Sequence, residues 1–212
     1  MPRRAAVLLS ATHPERSSTE WAACPLGERD HALLRLRETL FGETLETVAR
    51  CRSCGEPMEA QFRTADLTDR FASPGMLERE VNGSRIRFRV PTEADVVAAI
   101  ASRDPRRSLI ERCVESAGTL DDTAVSAVIQ AMAAEDPQAD IQIQVSCPAC
   151  ATENNLAFDI VSYLWSDLTD WARRIMAEVH TLASAYGWSE TDILAMTAFR
   201  RRLYLQMLGS EA

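Results

Sequence analysis

Four of the six cysteines stand in two Cys-x-x-Cys pairs, Cys51 with Cys54 and Cys147 with Cys150, and this pairing restricts the possible folds more than any other feature of the chain. Two residues between paired thiols let one tight turn aim both sulfurs at a single ion, and two such turns complete the tetrahedral thiolate set that zinc favours. A compact zinc ribbon separates its pairs by about 15 to 20 residues, whereas here most of a hundred intervene. The expected site is therefore split, each half carried by its own turn, with a long segment that leaves and returns. None of the three histidines neighbours either pair, and a four-thiolate shell keeps no position open for water, so the expected ion is structural Zn2+. A dithiol redox centre at Cys147-Pro148-Ala149-Cys150 is the rival reading. It would need the first cysteine at a helix N-terminus, yet residues 151–155 lead into a strand; unmetallated thiols are the remaining alternative. Cys24 and Cys113 stay outside the set, Cys113 reading as a small hydrophobe on an apolar helical face.

The pattern around the pairs supports two hairpins. Met58, Ala60 and Phe62 alternate with Glu59, Gln61 and Arg63 beyond the first pair. Ile141, Ile143 and Val145 alternate with polar neighbours before the second pair, and Leu156, Phe158 and Ile160 do so after it. Upstream, residues 25–42 read as an amphipathic helix on Leu33, Leu36 or Arg37, and Leu40, with Gly42 as its stop. Between the hairpins, Asn82-Gly83 signals a tight turn before a strand carrying Ile86, Phe88 and Val90. Thr92-Glu93-Ala94-Asp95 then resembles a capped helix start, and further helical faces follow on Leu109, Ile110, Cys113 and Val114 and on Val125, Val128, Ile129 and Met132, with Gly118 and Pro137 as punctuation. Tyr163, Leu164, Leu168, Trp171, Ile175, Val179 and Leu182 predict one long helix, Gly187 ends it, Ser189 with Asp192 caps another, and Thr197 opens the last.

Composition bounds what such a chain does. The net charge is −8 and all 23 basic residues are Arg, an acidic average that argues against broad binding of phosphate backbones. Arg85, Arg87 and Arg89 on one strand face and the run Arg200, Arg201 and Arg202 are read as solvated faces before they are read as nucleic-acid contacts. No Ser/His/Asp arrangement, Gly-rich phosphate loop or paired-carboxylate motif stands out, and His180 reads as a packing or surface residue. The apolar stretch near the start breaks at Ser10, short for a secretory leader, and is expected to be a flexible arm or edge strand. The aromatics of the last third, Trp165, Trp171, Trp188, Tyr163, Tyr186 and Tyr204, are expected mostly in the core.

Several stretches, taken in order, resemble a family of baseplate-associated proteins of contractile phage tails and contractile injection systems, similar to the T4-type baseplate hub-assembly family. They are Leu26-Gly27-Glu28-Arg29-Asp30 with Leu33-Leu34-Arg35-Leu36-Arg37 and Phe41-Gly42; Cys51-Arg52-Ser53-Cys54-Gly55-Glu56; Phe88-Arg89-Val90-Pro91-Thr92; and, in the tail, Trp165, Glu178-Val179-His180, Tyr186-Gly187-Trp188-Ser189-Glu190 and Ile193-Leu194. The second knuckle departs from the first in having Ala151 where Gly55 follows the first pair. The resemblance implies a non-catalytic structural or assembly role, played through contacts with other baseplate or tail proteins.

The expectation is an α+β fold: a split four-Cys zinc ribbon of two β-hairpins, with a mainly helical insertion and a helical C-terminal region. Its segments are an N-terminal arm (1–24), a helix with the first knuckle (25–64), the insertion (65–138), the second knuckle (139–160) and C-terminal helices (161–212). The function expected is that of a zinc-stabilised virion-assembly protein of the baseplate, acting in a reducing cytoplasm or within a phage-tail-like particle, with neither membrane nor nucleic acid as partner. Two alternatives are a zinc-ribbon adaptor for nucleic acid or the transcription machinery and a thiol oxidoreductase.

Overall fold

The N-terminal residues form helices where an arm or edge strand was expected. In the computed structural model, which describes residues 4–67, 75–115 and 120–209, α1 spans Arg4–Thr12 and α2 spans Ser18–Ala23. The run of Ala and Leu in α1 has high intrinsic helix preference, and α2 is started by a reciprocal cap in which Ser17 accepts from the Glu20 N–H and Glu20 reaches back to the Ser17 N–H. Leu9 and Trp21 are buried, which fastens both helices to the fold.

The chain is divided into two compact units, Met1–Val161 and Ser162–Ala212. In the first, α3 (Leu26–Phe41) is the predicted helix, with Leu33 and Leu34 fully buried and Gly42, at φ +88°, closing it through an N–H donated to the Glu38 carbonyl. The polar residues of its first turn are also tied into the interior. The Gly27 N–H donates to Asp136 Oδ2 at 3.0 Å, Glu28 pairs with Arg16, and Arg29 pairs with Asp30 at 2.7 Å and Glu93 at 3.8 Å. Burial pushes the Asp30 carboxyl up to about 6, against the opposing pull of Arg29. A side chain at position 27 has no room, since a Cβ there would stand 1.7 Å from Asp136 Oδ1.

The first hairpin pairs β1 (Thr44–Arg50) with β2 (Pro57–Arg63), followed by a single turn of helix, α4 (Thr64–Leu67). The insertion holds more sheet than the sequence suggested. β3 (Leu77–Val81) and β4 (Ser84–Phe88) form a hairpin across Asn82 and Gly83, both at positive φ as a two-residue turn demands, and β5 (Val114–Glu115) adds a third strand beside β4. Around them lie α5 (Glu93–Ile100), capped by Thr92 with Asp95 as predicted, α6 (Pro105–Cys113), with Pro105 in its first turn, and α7 (Asp122–Glu135), followed by a 3-10 turn at Pro137–Ala139. Ile86, Phe88, Ile110, Cys113, Val128 and Met132 give the insertion its own aliphatic and aromatic core. The expected punctuation at Gly118 lies outside the described residues.

The second hairpin pairs β6 (Gln142–Ser146) with β7 (Glu153–Ala157). Phe158 and Ile160 were expected to continue that strand. Instead β7 ends at Ala157, Asp159 accepts a hydrogen bond from the Val161 N–H, and Ile160 begins α8 (Ile160–Tyr186). In the second unit, Gly187 at φ +68° stops α8, Ser189 caps α9 (Glu190–Ala195), and Thr197 accepts from the Arg200 N–H at the start of α10 (Ala198–Gly209). Val179, Leu182 and Ile193 form its buried centre, with Trp188, Tyr204, Leu205 and Leu208 packed against them. Trp188 stacks on Tyr186 at 4.5 Å and meets Tyr204 edge-on at 4.8 Å, whereas Trp171, expected in the core, is 49% exposed. No helix among the described residues is long and apolar enough to cross a membrane.

Candidate metal centre

The two hairpins end in loops of the same length and the same internal bonding. Residues 51–56 are closed by the pair Arg50 and Pro57, and residues 147–152 by Ser146 and Glu153. In the first loop the Cys51 N–H donates to the Glu56 carbonyl and the Gly55 N–H to the Cys51 carbonyl, both at 2.9 Å. In the second the Cys147 N–H donates to Thr152 at 3.0 Å and the Ala151 N–H to Cys147 at 2.9 Å. This geometry requires the residue after the second cysteine to turn left-handed. Gly55 does so at φ +77°, without cost, and Ala151 is held in the same conformation at φ +56°.

The loops bring together the four cysteines that the spacing singled out. Cys51 Sγ stands 3.7 Å from Cys150 Sγ, Cys54 Sγ stands 3.6 Å from Cys147 Sγ, and all four sulfurs lie within 4.8 Å of one another. These separations are too long for disulfides, whose sulfurs sit about 2.05 Å apart. They suit a tetrahedron: four ligands at about 2.3 Å from one ion place their sulfurs about 3.8 Å from each other. Each pair contributes one buried thiol, Cys51 and Cys147, and one exposed thiol, Cys54 and Cys150. Met58 is buried beside the inner pair, with Ala49, Val145 and Leu156 around it.

Asn154, which sequence reasoning passed over, connects the two knuckles. From β7 its Oδ1 accepts the Arg52 N–H at 3.0 Å, while its Nδ2 donates to the Thr152 carbonyl at 2.8 Å and faces Cys51 Sγ at 3.6 Å and Met58 Sδ at 3.5 Å. The available signal was its place on the same strand face as Leu156, a polar residue on the apolar side. Away from the tips, Phe62 and Phe158 meet edge-on at 5.5 Å and join the hairpins a second time.

The thiols do not titrate alike. N–H groups of Cys54 and Ser53, with Asn154 and Cys150 assisting, pull Cys51 down to about 6, and the Thr152 hydroxyl and N–H lower Cys150. The Glu56 N–H favours a thiolate at Cys54, but the Cys150 thiol, burial and the other two sulfurs outweigh it and push that thiol up to about 12. Ionised together at this distance the four thiols would repel one another, and a divalent cation would relieve that repulsion.

The other candidates divide. Cys24 and Cys113 are buried away from the cluster, and burial raises both thiols to about 11. Cys147-Pro148-Ala149-Cys150 lies in a hairpin loop, not at the helix N-terminus that the redox reading needs. Arg85, Arg87 and Arg89 are each paired with a carboxylate, namely Glu78 at 3.2 Å, Glu115 at 3.3 Å and Asp95. The run at 200–202 is not one cationic face, because Arg201 is buried against Glu178 at 3.0 Å while Arg200 and Arg202 are exposed.

No curated protein and no solved structure matches the chain. Residues 7–128 match the family described as "T4 bacteriophage base plate protein", a span that includes the α3 turn, the first knuckle and most of the insertion, and ends before the second knuckle and the C-terminal helices. That span is more than half of the 212 residues, and the chain belongs to this baseplate family.

Proposed function

We propose that Cys51, Cys54, Cys147 and Cys150 hold one structural Zn2+, and that the chain is a non-catalytic structural or assembly protein of a contractile-tail baseplate. The observation that carries the metal assignment is the convergence of four sulfurs at tetrahedral spacing on two loops built alike. Family membership supports the baseplate role. Zinc here supplies cohesion: it joins segments 25–64 and 139–160 into one body across the insertion of residues 65–138. Closing so long a loop through an ion restricts the unfolded chain, and the binding free energy of the ion becomes folding free energy. Its partners are other baseplate or tail proteins, met in the reducing cytoplasm where tails are built, with incorporation into the particle as the outcome. Nucleic acid is a poor fit, since the basic strand is neutralised by its own carboxylates.

The test is to withhold the chain from cells assembling its tail, then to supply either the natural chain or Cys147→Ser. Tails without a functional baseplate in the first case and in the variant, with zinc bound only by the natural chain, are expected. Normal baseplates without the chain would remove the assembly role; normal baseplates with a zinc-free variant would remove the role of the metal. Salt-sensitive binding of a nucleic-acid duplex by the purified chain would favour the adaptor alternative.

A further inference from the structure

α10 is apolar on two opposite sides, and the second unit uses only one of them. At about 100° of rotation per residue, Arg201, Tyr204, Leu205 and Leu208 share the side that packs against Val179, Leu182 and Ile193. Phe199, Leu203 and Met207 follow one another at four-residue steps on the opposite side, where they are 69%, 39% and 55% exposed. Single exposed apolar residues are ordinary. Three in register along one helix form a continuous strip of the kind that an amphipathic partner covers.

The charges beside the strip indicate what covers it. Arg200 falls on one edge and Arg202 on the other, both exposed, and neither has a carboxylate partner among the described residues. Their neighbour Arg201 is neutralised by Glu178 in the interior. α10 itself contains no carboxylate. Two-fold packing of α10 on its copy would therefore set arginine against arginine, a like-charge juxtaposition that disfavours a second copy as the occupant.

We propose that Phe199, Leu203 and Met207, edged by Arg200 and Arg202, form the docking surface for an amphipathic helix of another baseplate protein, one carrying an apolar row bordered by carboxylates. The inference rests on the baseplate role proposed above and names the surface through which it is exercised. The apolar rows supply the contact, and the arginines fix its register and reject basic competitors.

The test uses the full chain in cells assembling tails, with the photo-reactive residue p-benzoylphenylalanine at position 199, 203 or 207, and at Val48, 67% exposed on β1, as the control. Irradiation is expected to join all three strip positions to one and the same baseplate protein, within an apolar segment bordered by Asp or Glu. The pair Arg200→Glu with Arg202→Glu should lower that yield about tenfold or more, while circular dichroism shows the fold retained. Exchanging the partner's carboxylates for lysines should restore it. Cross-links to a second copy of the chain, or to a segment without carboxylates, would overturn the proposal. So would capture of a baseplate protein from Val48 with none from the strip, which leaves the baseplate role standing. Normal baseplates in cells that lack the chain would overturn both, and that result is read separately from the cross-links.

Discussion

The knuckle pair and the insertion are two cores of opposite kind within one unit. The insertion buries Ile86, Phe88, Ile110, Val128 and Met132 against several more apolar neighbours, enough area to hold together by exclusion of water. The knuckles bury Cys51, Met58 and Cys147 with a thin apolar surround, and their outer thiols are exposed. A pair of two-stranded hairpins is marginal by itself, so the second core needs bonds where the first needs only burial. With zinc held as proposed, one core should tolerate metal loss and the other should not.

The largest effect that separates them is removal of a ligand. Structural zinc is worth about 10 kcal/mol or more in small zinc-dependent folds. Cys147→Ser, or a strong chelator, should therefore release the ion and expose β1, β2, β6 and β7 to hydrogen exchange while the amides of β4 and α7 stay protected. Simultaneous loss of protection in both regions would erase the distinction. The reciprocal change, Phe88→Ala, should destabilise the insertion by about 3 to 5 kcal/mol without lowering zinc content, as measured by denaturant unfolding beside metal analysis. Gly27→Ala forces Asp136 from its bond to the α3 turn and should cost about 1 to 3 kcal/mol, again with zinc retained.

Much of this contrast was legible in the sequence. The paired spacing of Cys51, Cys54, Cys147 and Cys150 singled out the four thiols that cluster, and the strand alternation on either side placed them at hairpin tips. Helix ends with local chemistry were legible too: Thr92 with Asp95, Ser189 with Asp192, and Gly42. What escaped depends on distant partners. Asp136 meets Gly27 across 109 residues, and no local pattern in either stretch announces it. β3 was missed because Leu77-Glu78-Arg79-Glu80-Val81 lacks apolar alternation and is held as a strand by its pairing with β4. The arginine strand was read as a solvated face, and Arg85 and Arg87 are exposed; the pairing that escaped is that of Arg87 with Glu115, which β5 brings alongside β4.

Smaller substitutions sharpen the comparison within the knuckles themselves. Asn154→Ala takes away the side chain that braces Cys51 and the Arg52 N–H, and should weaken zinc affinity about 10- to 100-fold in a competitive chelator titration. An unchanged affinity would mean that the loops are set by their own backbone bonds. Ala151→Gly gives the second loop the residue that its left-handed conformation favours and should raise stability by about 0.5 to 1 kcal/mol. A loss instead would show that the two loops differ in ways their matched bonding conceals.

The central claim is that four sulfurs from two hairpins remote in sequence share one zinc ion. X-ray absorption at the zinc edge of the purified chain tests it most directly. The account predicts one zinc per chain with four sulfurs at about 2.3 Å; a first shell containing nitrogen or oxygen, or a four-sulfur shell that persists in Cys147→Ser, would contradict it.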